Sequence, residues 1–327
     1  MLQDNQKKMA TRLNVLPRNP GEELPRGKEE EKAVSLGRFP SWLHRKLPRG
    51  SALAETGYVI QNQRLHTVCE EARCPNLLEC WSKKTATFLV MGKECTRNCG
   101  FCDIDFSKAP KELDEEEPKR VAEAARALGL THVVITMVAR DDLSDGGASH
   151  LVKVVEAIRK ESPESTVEVL TSDFFGNLDA LNIILKANPE IFNHNIETVR
   201  ALTPRVRHTA TYDRTLKILR YAASNRNNPK MLIKSGLMVG LGEEKEQVYE
   251  TLQDLATAGC DVVTMGQYLQ PNRRKLLVKA FVSPEEFKDY ENYGHSLGIK
   301  HMYCGPFVRS SYNAKDVLQK SILSEKA

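Results

Sequence analysis

The chain has 327 residues, of which 41% are hydrophobic and 28% are charged, and its formal net charge is +4. This balance is typical of a globular protein, and so small a charge argues against nucleic-acid binding, which needs clustered basic residues. No segment approaches the ~18 consecutive apolar residues of a membrane helix, so no membrane span is expected.

Residues 1–37 are polar and contain prolines, glycines and a run of charge, so we expect a mobile N-terminal arm. The arm lacks the apolar core of a secretory signal, and its acidic residues are untypical of a transit peptide. Eight cysteines without such a signal indicate a reducing, cytoplasmic setting, in which cysteine patterns more often bind metal than form disulfides.

Six of the eight cysteines fall within residues 69–102. The upstream triplet, spaced C-x4-C-x5-C, is Cys69, Cys74 and Cys80; the downstream triplet, spaced C-x3-C-x2-C, is Cys95, Cys99 and Cys102. Thiolates are soft ligands that select iron–sulfur clusters, zinc or Cu(I), and a 4Fe–4S cube takes one ligand for each of its four irons. Each triplet leaves one iron open, which indicates two clusters that are each completed from elsewhere.

Two other interpretations of the cysteines remain open at this point. Structural zinc takes four ligands in paired C-x2-C units, and only Cys99 and Cys102 form such a pair. A zinc-stabilised binding module without catalysis is therefore an alternative. Disulfides suit small stapled domains, whereas this chain is long enough for an ordinary core.

Apolar runs alternate with amphipathic helical patterns along the rest of the chain. Strands are predicted at 86–92, 131–138, 165–172, 190–197, 231–240 and 261–269, each followed by a helix, the first of which opens at Pro118. Such alternation implies a parallel sheet, although periodicity alone does not separate a partial barrel from an eightfold barrel or an open doubly wound sheet. In a parallel barrel the site lies at the carboxyl ends of the strands, and the downstream triplet directly follows the first strand.

The cysteine segments resemble those of a known superfamily. CTRNCGFC (95–102) is similar to the cluster loop of radical S-adenosylmethionine enzymes, while CEEARCPNLLEC (69–80) and RSSY (309–312) resemble the lipoyl synthase family specifically. The resemblance covers roughly residues 55–315. It implies an α/β fold, a partial (β/α)6 TIM-type barrel at 85–283, with an N-terminal extension (38–84) and a C-terminal helix and tail (284–327) that carry an auxiliary cluster.

The resemblance also implies a ligand set and a reaction. The downstream triplet would hold a 4Fe–4S cluster whose open iron binds S-adenosylmethionine. The upstream triplet and a serine of RSSY would hold an auxiliary 4Fe–4S cluster that gives up sulfide. Of Ser310 and Ser311 we choose Ser311, the serine before the tyrosine.

The family's reaction inserts two sulfur atoms at carbons six and eight of a protein-bound octanoyl-lysine. The implied partners are octanoylated lipoyl domains of 2-oxoacid dehydrogenase E2 subunits, the glycine cleavage H protein, and an electron donor such as flavodoxin or ferredoxin. Another radical enzyme with an auxiliary cluster, such as a methylthiotransferase, is the alternative. That class would place the second triplet in a separate N-terminal domain with wider spacing, and without RSSY.

Several residues are candidates for binding S-adenosylmethionine by the same resemblance: Phe101, Gly146, Gly147, Asn195, Glu197, Gly236, Gly240, Gln267 and Tyr268. Phe101 is expected to stack on the cofactor, although a packing residue would give the same pattern. The superfamily has Gly-Gly-Glu where this chain has Gly146, Gly147 and Ala148, so the carboxylate is missing. Asp141, Asp142 or Asp145 is the candidate replacement, and a helix-capping loop is the alternative.

The later strands supply the remaining candidates. Residues 236–243 read G-x-M-x-G-x-x-E, similar to an adenine-side motif of the superfamily, and the backbone of GQYL (266–269) is expected nearby. If the fourth strand is regular, Asn193, Asn195 and Glu197 share one side of it, and Asn195 and Glu197 would hold the ribose or the methionyl group. His194 is predicted to face outwards and to be structural, Arg207 and Lys234 to form ion pairs, and Cys260 and Cys304 to be buried free thiols.

Overall fold

The structure, a computed structural model, describes residues 39–44 and 52–311. The predicted N-terminal arm and the tyrosine of RSSY lie outside these residues. No helix in the described part of the chain is both long and apolar enough to cross a membrane.

The strands in chain order are β1 His66–Thr67, β2 Thr87–Val90, β3 Glu94–Cys95, β4 Asp105–Phe106, β5 His132–Met137, β6 Thr166–Leu170, β7 Ile191–Asn193, β8 Leu232–Val239, β9 Val262–Gln267 and β10 His301–Gly305. The α-helices are α1 Ala52–Asn62, α2 Val68–Glu71, α3 Leu77–Ser82, α4 Glu117–Ala127, α5 Ala148–Glu161, α6 Leu178–Lys186, α7 Thr203–Val206, α8 Tyr212–Ser224, α9 Lys245–Thr257 and α10 Pro284–Ser296.

Eight strands of the described residues form one sheet, in the order β1-β2-β5-β6-β7-β8-β9-β10. Every pair is parallel except β1 with β2, which is antiparallel at one edge. The six predicted strands are confirmed as β2 and β5 to β9, and the crossover helices join them as in βαβ units. The sheet is open between β1 and β10 in the described residues, as a partial barrel requires.

The strand pattern differs from the prediction at the two-residue strands β1, β3 and β4, which were not predicted, at β10 and at the end of β7. Strand β10 was not predicted, because HMYCG is short, contains histidine and glycine, and is only partly buried. The predicted strand at 190–197 is shorter in the structure and ends at Asn193. It does not extend to Glu197, whose φ of +68° is incompatible with a regular strand. Glu197 instead forms an isolated parallel bridge with Leu237 of β8.

The strand residues of the sheet are largely buried, and one charged group of side chains lies among them. All residues of β2 and β5 are buried, as expected for strands covered on both faces. Lys234 Nζ lies 2.9 Å from Glu168 Oε1, and neither side chain is exposed. Burial disfavours the charge, but Lys234 and His132 lower the pKa of Glu168 to about 2. The predicted ion pair of Lys234 is therefore confirmed.

Candidate active site

The loop that carries the downstream triplet lies at the carboxyl end of β2. It is closed by the short parallel pair of β3 and β4, in which Cys95 is opposite Phe106. The Cys95 sulfur accepts hydrogen bonds from the backbone N–H groups of Ala139, at 3.3 Å, and Arg97, at 3.4 Å. Ala139 follows β5, so the loop is tied to the end of the neighbouring strand.

The other two thiols of this triplet lie in a largely dry environment. Burial raises the pKa of Cys99 to about 11 and that of Cys102 to about 12. A bare thiolate is therefore disfavoured there, and a bound metal centre would supply the positive charge that stabilises it. This donor set of soft sulfur atoms fits an iron–sulfur cluster.

Arg97, between the cysteines of this triplet, holds the loop against two strand ends. Its guanidinium contacts Asp141 Oδ1 at 2.6 Å and Asp173 Oδ1 at 2.7 Å. Asp141 follows β5 and Asp173 follows β6, and Asp173 is fully buried. Since a buried charge needs a partner, this pairing fixes where the loop sits. Spacing did not single out Arg97, because both of its partners are distant in sequence.

The three aspartates that were candidates for charge beside the glycine pair already have partners. Asp141 pairs with Arg97, and Asp142 pairs with Arg140 at 2.7 Å. Asp145 accepts hydrogen bonds from the backbone N–H groups of Gly147, at 2.9 Å, and Ser149, at 2.8 Å, at the start of α5. The loop is thus a helix-capping loop, as the alternative interpretation described, and each of these three aspartates is engaged within the protein.

The glycine pair has a structural requirement of its own. Gly146 and Gly147 have φ values of +60° and +88°. A Cβ on Gly147 would lie 2.8 Å from Met91 Cε and closer to its sulfur. Only glycine fits this approach to the end of β2, whether or not a ligand lies beside it.

The candidates Asn195, Glu197 and Gly236 meet beside β8. A Cβ on Gly236 would lie 2.8 Å from both Asn195 Oδ1 and Thr264 Oγ1. These two oxygens are buried and have no hydrogen-bond partner within the described residues. Burial raises the pKa of Glu197 above its usual range, against the opposite effect of Arg207. Unpaired buried polar atoms around a glycine are the signature expected of a polar ligand site.

The expectation that Asn193, Asn195 and Glu197 share one strand face is wrong. Asn193 Nδ2 donates to Glu168 Oε1 at 2.8 Å, deeper in the sheet. After Asn193 the chain leaves the strand, and the Glu197 N–H donates to the Gly236 carbonyl at 2.9 Å. His194 hydrogen bonds with the Thr171 carbonyl and with Thr215 of α8, so its predicted outward, structural role is confirmed.

Arg207 is buried, and its hydrogen bonds go to the Asn195 carbonyl at 2.6 Å and to Thr215 Oγ1 at 2.7 Å. Its charge also acts on Glu197. Arg207 therefore positions the irregular segment after β7. Of the two remaining thiols, Cys260 is buried, as predicted, whereas Cys304 is only partly buried.

Gln267, Tyr268 and Phe101 make protein contacts at the next strand end. Gln267 Nε2 donates to the Ala280 carbonyl at 2.9 Å, and its Oε1 accepts from the Val282 N–H at 2.8 Å. Tyr268 donates to the Leu276 carbonyl at 2.7 Å. Phe101 packs with Tyr268 in an apolar cluster, as the packing interpretation of Phe101 described. Together these contacts hold residues 276–282 beside the downstream triplet.

Gly240, at the end of the G-x-M-x-G-x-x-E motif, is required by this same packing. Its φ is +95°, and a Cβ there would lie 2.5 Å from the Ala280 carbonyl oxygen. Glu243 accepts hydrogen bonds from the backbone N–H groups of Gly240 and Leu241. The motif therefore builds a tight turn after β8.

The upstream triplet lines a cavity that is partly open to solvent. The other residues around this cavity are Asn76, Thr85, Ala86, Thr87, Arg309 and Ser311. The structure thus brings Ser311, from the far end of the chain, to the three cysteines. Burial raises the pKa of Cys69 well above its usual range, and the Trp81 indole acts in the opposite direction. Trp81 is fully buried, and its indole N–H faces the Cys69 thiol, where it favours the thiolate.

Two contacts hold residues 307 and 308 beside this cavity, and sequence spacing did not reveal either of them. Asn76 Nδ2 donates to the Phe307 carbonyl at 2.7 Å, across 231 residues of chain. A Cβ on Gly266 of β9 would lie 3.0 Å from the Val308 carbonyl carbon and closer to its oxygen. Residues 307 and 308 are thus held from two sides, just before Ser311.

A single-ion site is not formed by these cysteines. In the described ranges, no three His, Cys, Asp or Glu side chains converge as one metal ion would need. A mononuclear zinc site requires such convergence, whereas a 4Fe–4S cube binds each cysteine through a different iron.

Comparison with known proteins gives the family. Residues 89–255 match the radical SAM superfamily, and residues 13–74 match the N-terminal domain of lipoyl synthase of the radical SAM family. The chain is 67% identical to lipoyl synthase of Protochlamydia amoebophila over 310 residues, which are 95% of this chain and 94% of that protein. This chain belongs to the lipoyl synthase family. It is also 55% identical to lipoyl synthase of Chlamydia trachomatis serovar D over 282 residues, 86% of this chain and 90% of the relative.

Solved structures support the fold of this lipoyl synthase family member. Streptococcus suis SuiB bound to precursor peptide SuiA matches with a TM-score of 0.51 at 13% identity, over 66% of this chain and 48% of that chain. HydG, a maturase of the [FeFe]-hydrogenase, matches with a TM-score of 0.51 at 16% identity, over 66% and 50%. The chain spans about half the length of these two structures. The predicted α/β partial barrel is confirmed.

Proposed function

We propose that the protein is a lipoyl synthase that inserts sulfur at carbons six and eight of an octanoyl chain, amide-linked to a lysine of a lipoyl carrier domain. Bound S-adenosylmethionine and its 4Fe–4S cluster would supply a deoxyadenosyl radical, and the auxiliary 4Fe–4S cluster would supply sulfide. The observation that carries the proposal is the cavity that Ser311 shares with Cys69, Cys74 and Cys80. A hydroxyl ligand is harder and more easily lost than a thiolate, which suits a cluster that is consumed.

The downstream triplet is proposed to hold the radical-generating cluster. Cys95 has two backbone N–H donors on its sulfur, which would remain in place when the thiolate binds iron. The buried Arg97 holds the loop by ion pairs with Asp141 and with the fully buried Asp173, so the three thiols would keep their positions during turnover. Such rigid support is what precise orientation of a reactive centre requires.

We propose that S-adenosylmethionine lies between this triplet and the end of β8. The unpartnered oxygens of Asn195 and Thr264 would accept hydrogen bonds from its hydroxyl or ammonium groups. Gly236 keeps that space open, and Glu197 offers a carboxylate at the same place. Thr264 was not among the sequence candidates; its position three residues before Gln267 in β9 is the only local signal.

The expected backbone contacts of Gln267 and Tyr268 with the adenine belong to the same proposal, as do the contacts of Phe101, Gly146, Gly147 and Gly240. The side chains of Gln267 and Tyr268 are occupied within the protein, so only their backbone groups are offered to the cofactor. The unactivated C–H bonds of an octanoyl chain require radical abstraction, since no side-chain base removes such a proton. The protein's task is to orient that chain and exclude water.

We further propose that the octanoylated substrates are lipoyl domains of 2-oxoacid dehydrogenase E2 subunits and the glycine cleavage H protein. Flavodoxin or ferredoxin is the proposed source of electrons, because each radical needs one electron at low potential. These assignments are supported by membership of the family.

The decisive experiment measures iron and acid-labile sulfide per chain after anaerobic reconstitution. The wild type should bind about eight irons, and a Cys69/Cys74/Cys80→Ala triple variant about four, at four for each cube. The variant should still cleave S-adenosylmethionine but form no lipoyl group on an octanoylated carrier. About four irons in both proteins would contradict the proposal, because the upstream triplet would then hold no cluster.

A further inference from the structure

Asp103 lies where the two cysteine loops touch. It directly follows Cys102 of the downstream triplet, and its Oδ2 is 2.8 Å from Nε of Arg73, which directly precedes Cys74 of the upstream triplet. One ion pair therefore joins a residue adjacent to a cysteine of each triplet.

A third loop meets the same carboxylate. Asn272, in the loop after β9, donates from Nδ2 to Asp103 Oδ1. This loop also contacts the downstream triplet, since the Leu276 N–H donates to the Gly100 carbonyl at 3.0 Å. Both oxygens of Asp103 are thus engaged, each by a different loop.

The burial of Asp103 determines how strongly these contacts constrain the loops. The Asp103 side chain is 9% exposed, whereas that of Arg73 is 61% exposed. A carboxylate removed from water depends on its remaining partners, so it constrains them more than a fully exposed pair would. Arg73 also has a φ of +50°, a conformation that a non-glycine residue adopts only when its surroundings hold it there.

We infer that Asp103 is a positioning residue that sets the relative placement of the two triplets, through Arg73 on one side and Asn272 on the other. The inference rests on the proposed function, in which a substrate radical formed beside the downstream triplet must reach sulfur held by the upstream triplet. A small displacement between the two sites leaves S-adenosylmethionine cleavage intact but lets the substrate radical decay before sulfur transfer. Asp103 therefore governs how efficiently the two halves of the reaction are coupled.

The test compares Arg73→Ala, Arg73→Lys and Asp103→Asn with the wild type. Alanine keeps the same backbone restriction at φ +50° and removes only the charge and the contact. Lysine retains the charge, and asparagine retains an acceptor for Asn272. The matched control is Lys93→Ala, since Lys93 pairs with Asp105 of the same loop at 3.9 Å but does not contact the upstream triplet in the described structure.

The first readout is hydrogen–deuterium exchange of residues 70–76 in the protein without clusters. Exchange should be roughly two- to fivefold faster in Arg73→Ala and Asp103→Asn, the range that a partly exposed ion pair supports. It should be close to wild type in Arg73→Lys and in the control. Exchange in the Arg73→Ala/Asp103→Asn double variant should be no faster than in either single variant, because both substitutions remove the same contact.

The second readout is the ratio of 5′-deoxyadenosine to lipoyl product in the reconstituted enzyme. The ratio should rise severalfold in Arg73→Ala and Asp103→Asn, while the rate of S-adenosylmethionine cleavage stays within about twofold of wild type. Unchanged exchange and an unchanged ratio in both variants would overturn the inference. A wild type that forms deoxyadenosine but no lipoyl product would instead overturn the proposed function. The exchange data would still decide whether Asp103 and Arg73 hold the two loops together.

Discussion

The two cysteine triplets are built by different means. The downstream triplet lies on one loop at the end of β2, and Arg97 ties that loop to the neighbouring strand ends. The upstream triplet lies around two short helices, α2 and α3, and its cavity is completed by Ser311 from the end of the described chain. One site is thus nearly complete within a few dozen residues, whereas the other depends on a contact between distant segments.

This difference matches what each site is proposed to do. A cluster that serves every turnover benefits from a preformed, rigid loop, and a cluster that is consumed benefits from a hydroxyl ligand that is lost more easily than a thiolate. If so, changes at the tail should impair sulfur insertion alone, whereas changes at Arg97 should impair the radical step first.

The largest expected effect is that of Ser311→Ala. Without the fourth ligand, lipoyl formation should fall below detection, while S-adenosylmethionine cleavage remains, because the downstream triplet is untouched. Product mass on an octanoylated carrier and 5′-deoxyadenosine are measured together. Ser310→Ala is the matched control, since Ser310 does not line the cavity; equal loss in both variants would show that the tail as a whole, rather than Ser311, is required.

The next largest effect is expected from Gly266→Ala. The new Cβ would overlap the Val308 carbonyl and push the tail outwards by about an ångström, a displacement that can cost on the order of a hundredfold in rate. Lipoyl formation is measured under single-turnover conditions.

Gly305→Ala is the control for that variant, because its Cβ would meet the side chain of Val308, rather than its carbonyl, at an ordinary 3.5 Å. Full sulfur insertion by Gly266→Ala would mean that the close approach of Val308 to Gly266 does not position the tail.

Arg97→Ala is expected to impair the downstream triplet and to leave the upstream triplet intact. Removing Arg97 takes away one of the two arginine partners of the buried Asp173, the other being Arg214, which we expect to cost up to roughly 3–5 kcal/mol of stability. Urea unfolding of the protein without clusters measures this loss. After reconstitution, iron should fall from about eight to about four, with the remaining cluster in the upstream triplet. Loss of the upstream cluster instead would contradict the independence of the two sites.

The smallest effect is a pH dependence of stability that leaves both triplets unchanged. The pKa of Glu168 is held at about 2 in the folded protein, below its ordinary 4.5, against the effect of burial and chiefly by Lys234. Its contribution to stability is therefore fully present above about pH 4.5 and is lost as the pH falls towards 2. Denaturation of the cluster-free protein at a series of pH values should show this slope, and Glu168→Gln should flatten it; an identical slope in the variant would assign the dependence to other groups.

The accuracy of the sequence-based predictions followed the range of the interactions involved. The six barrel strands were predictable because their residues are mostly buried and apolar and because they alternate with amphipathic helices. Strand β10 was missed because His301 to Gly305 gains its strand character only by pairing with β9. The irregular segment at Asn195 and Glu197 was predicted as strand because a local pattern cannot show that Arg207 and Gly236 bend the chain away.

The sequence by itself determined the two cysteine triplets, the alternation of strands and helices, and the family, because cysteine spacing and side-chain periodicity are local properties. Only the tertiary structure decided which serine reaches the upstream triplet, which polar atoms remain unpaired beside Gly236, and that Asp103 joins the two loops. These features depend on contacts between residues that are far apart in the chain, and no spacing within one segment encodes them.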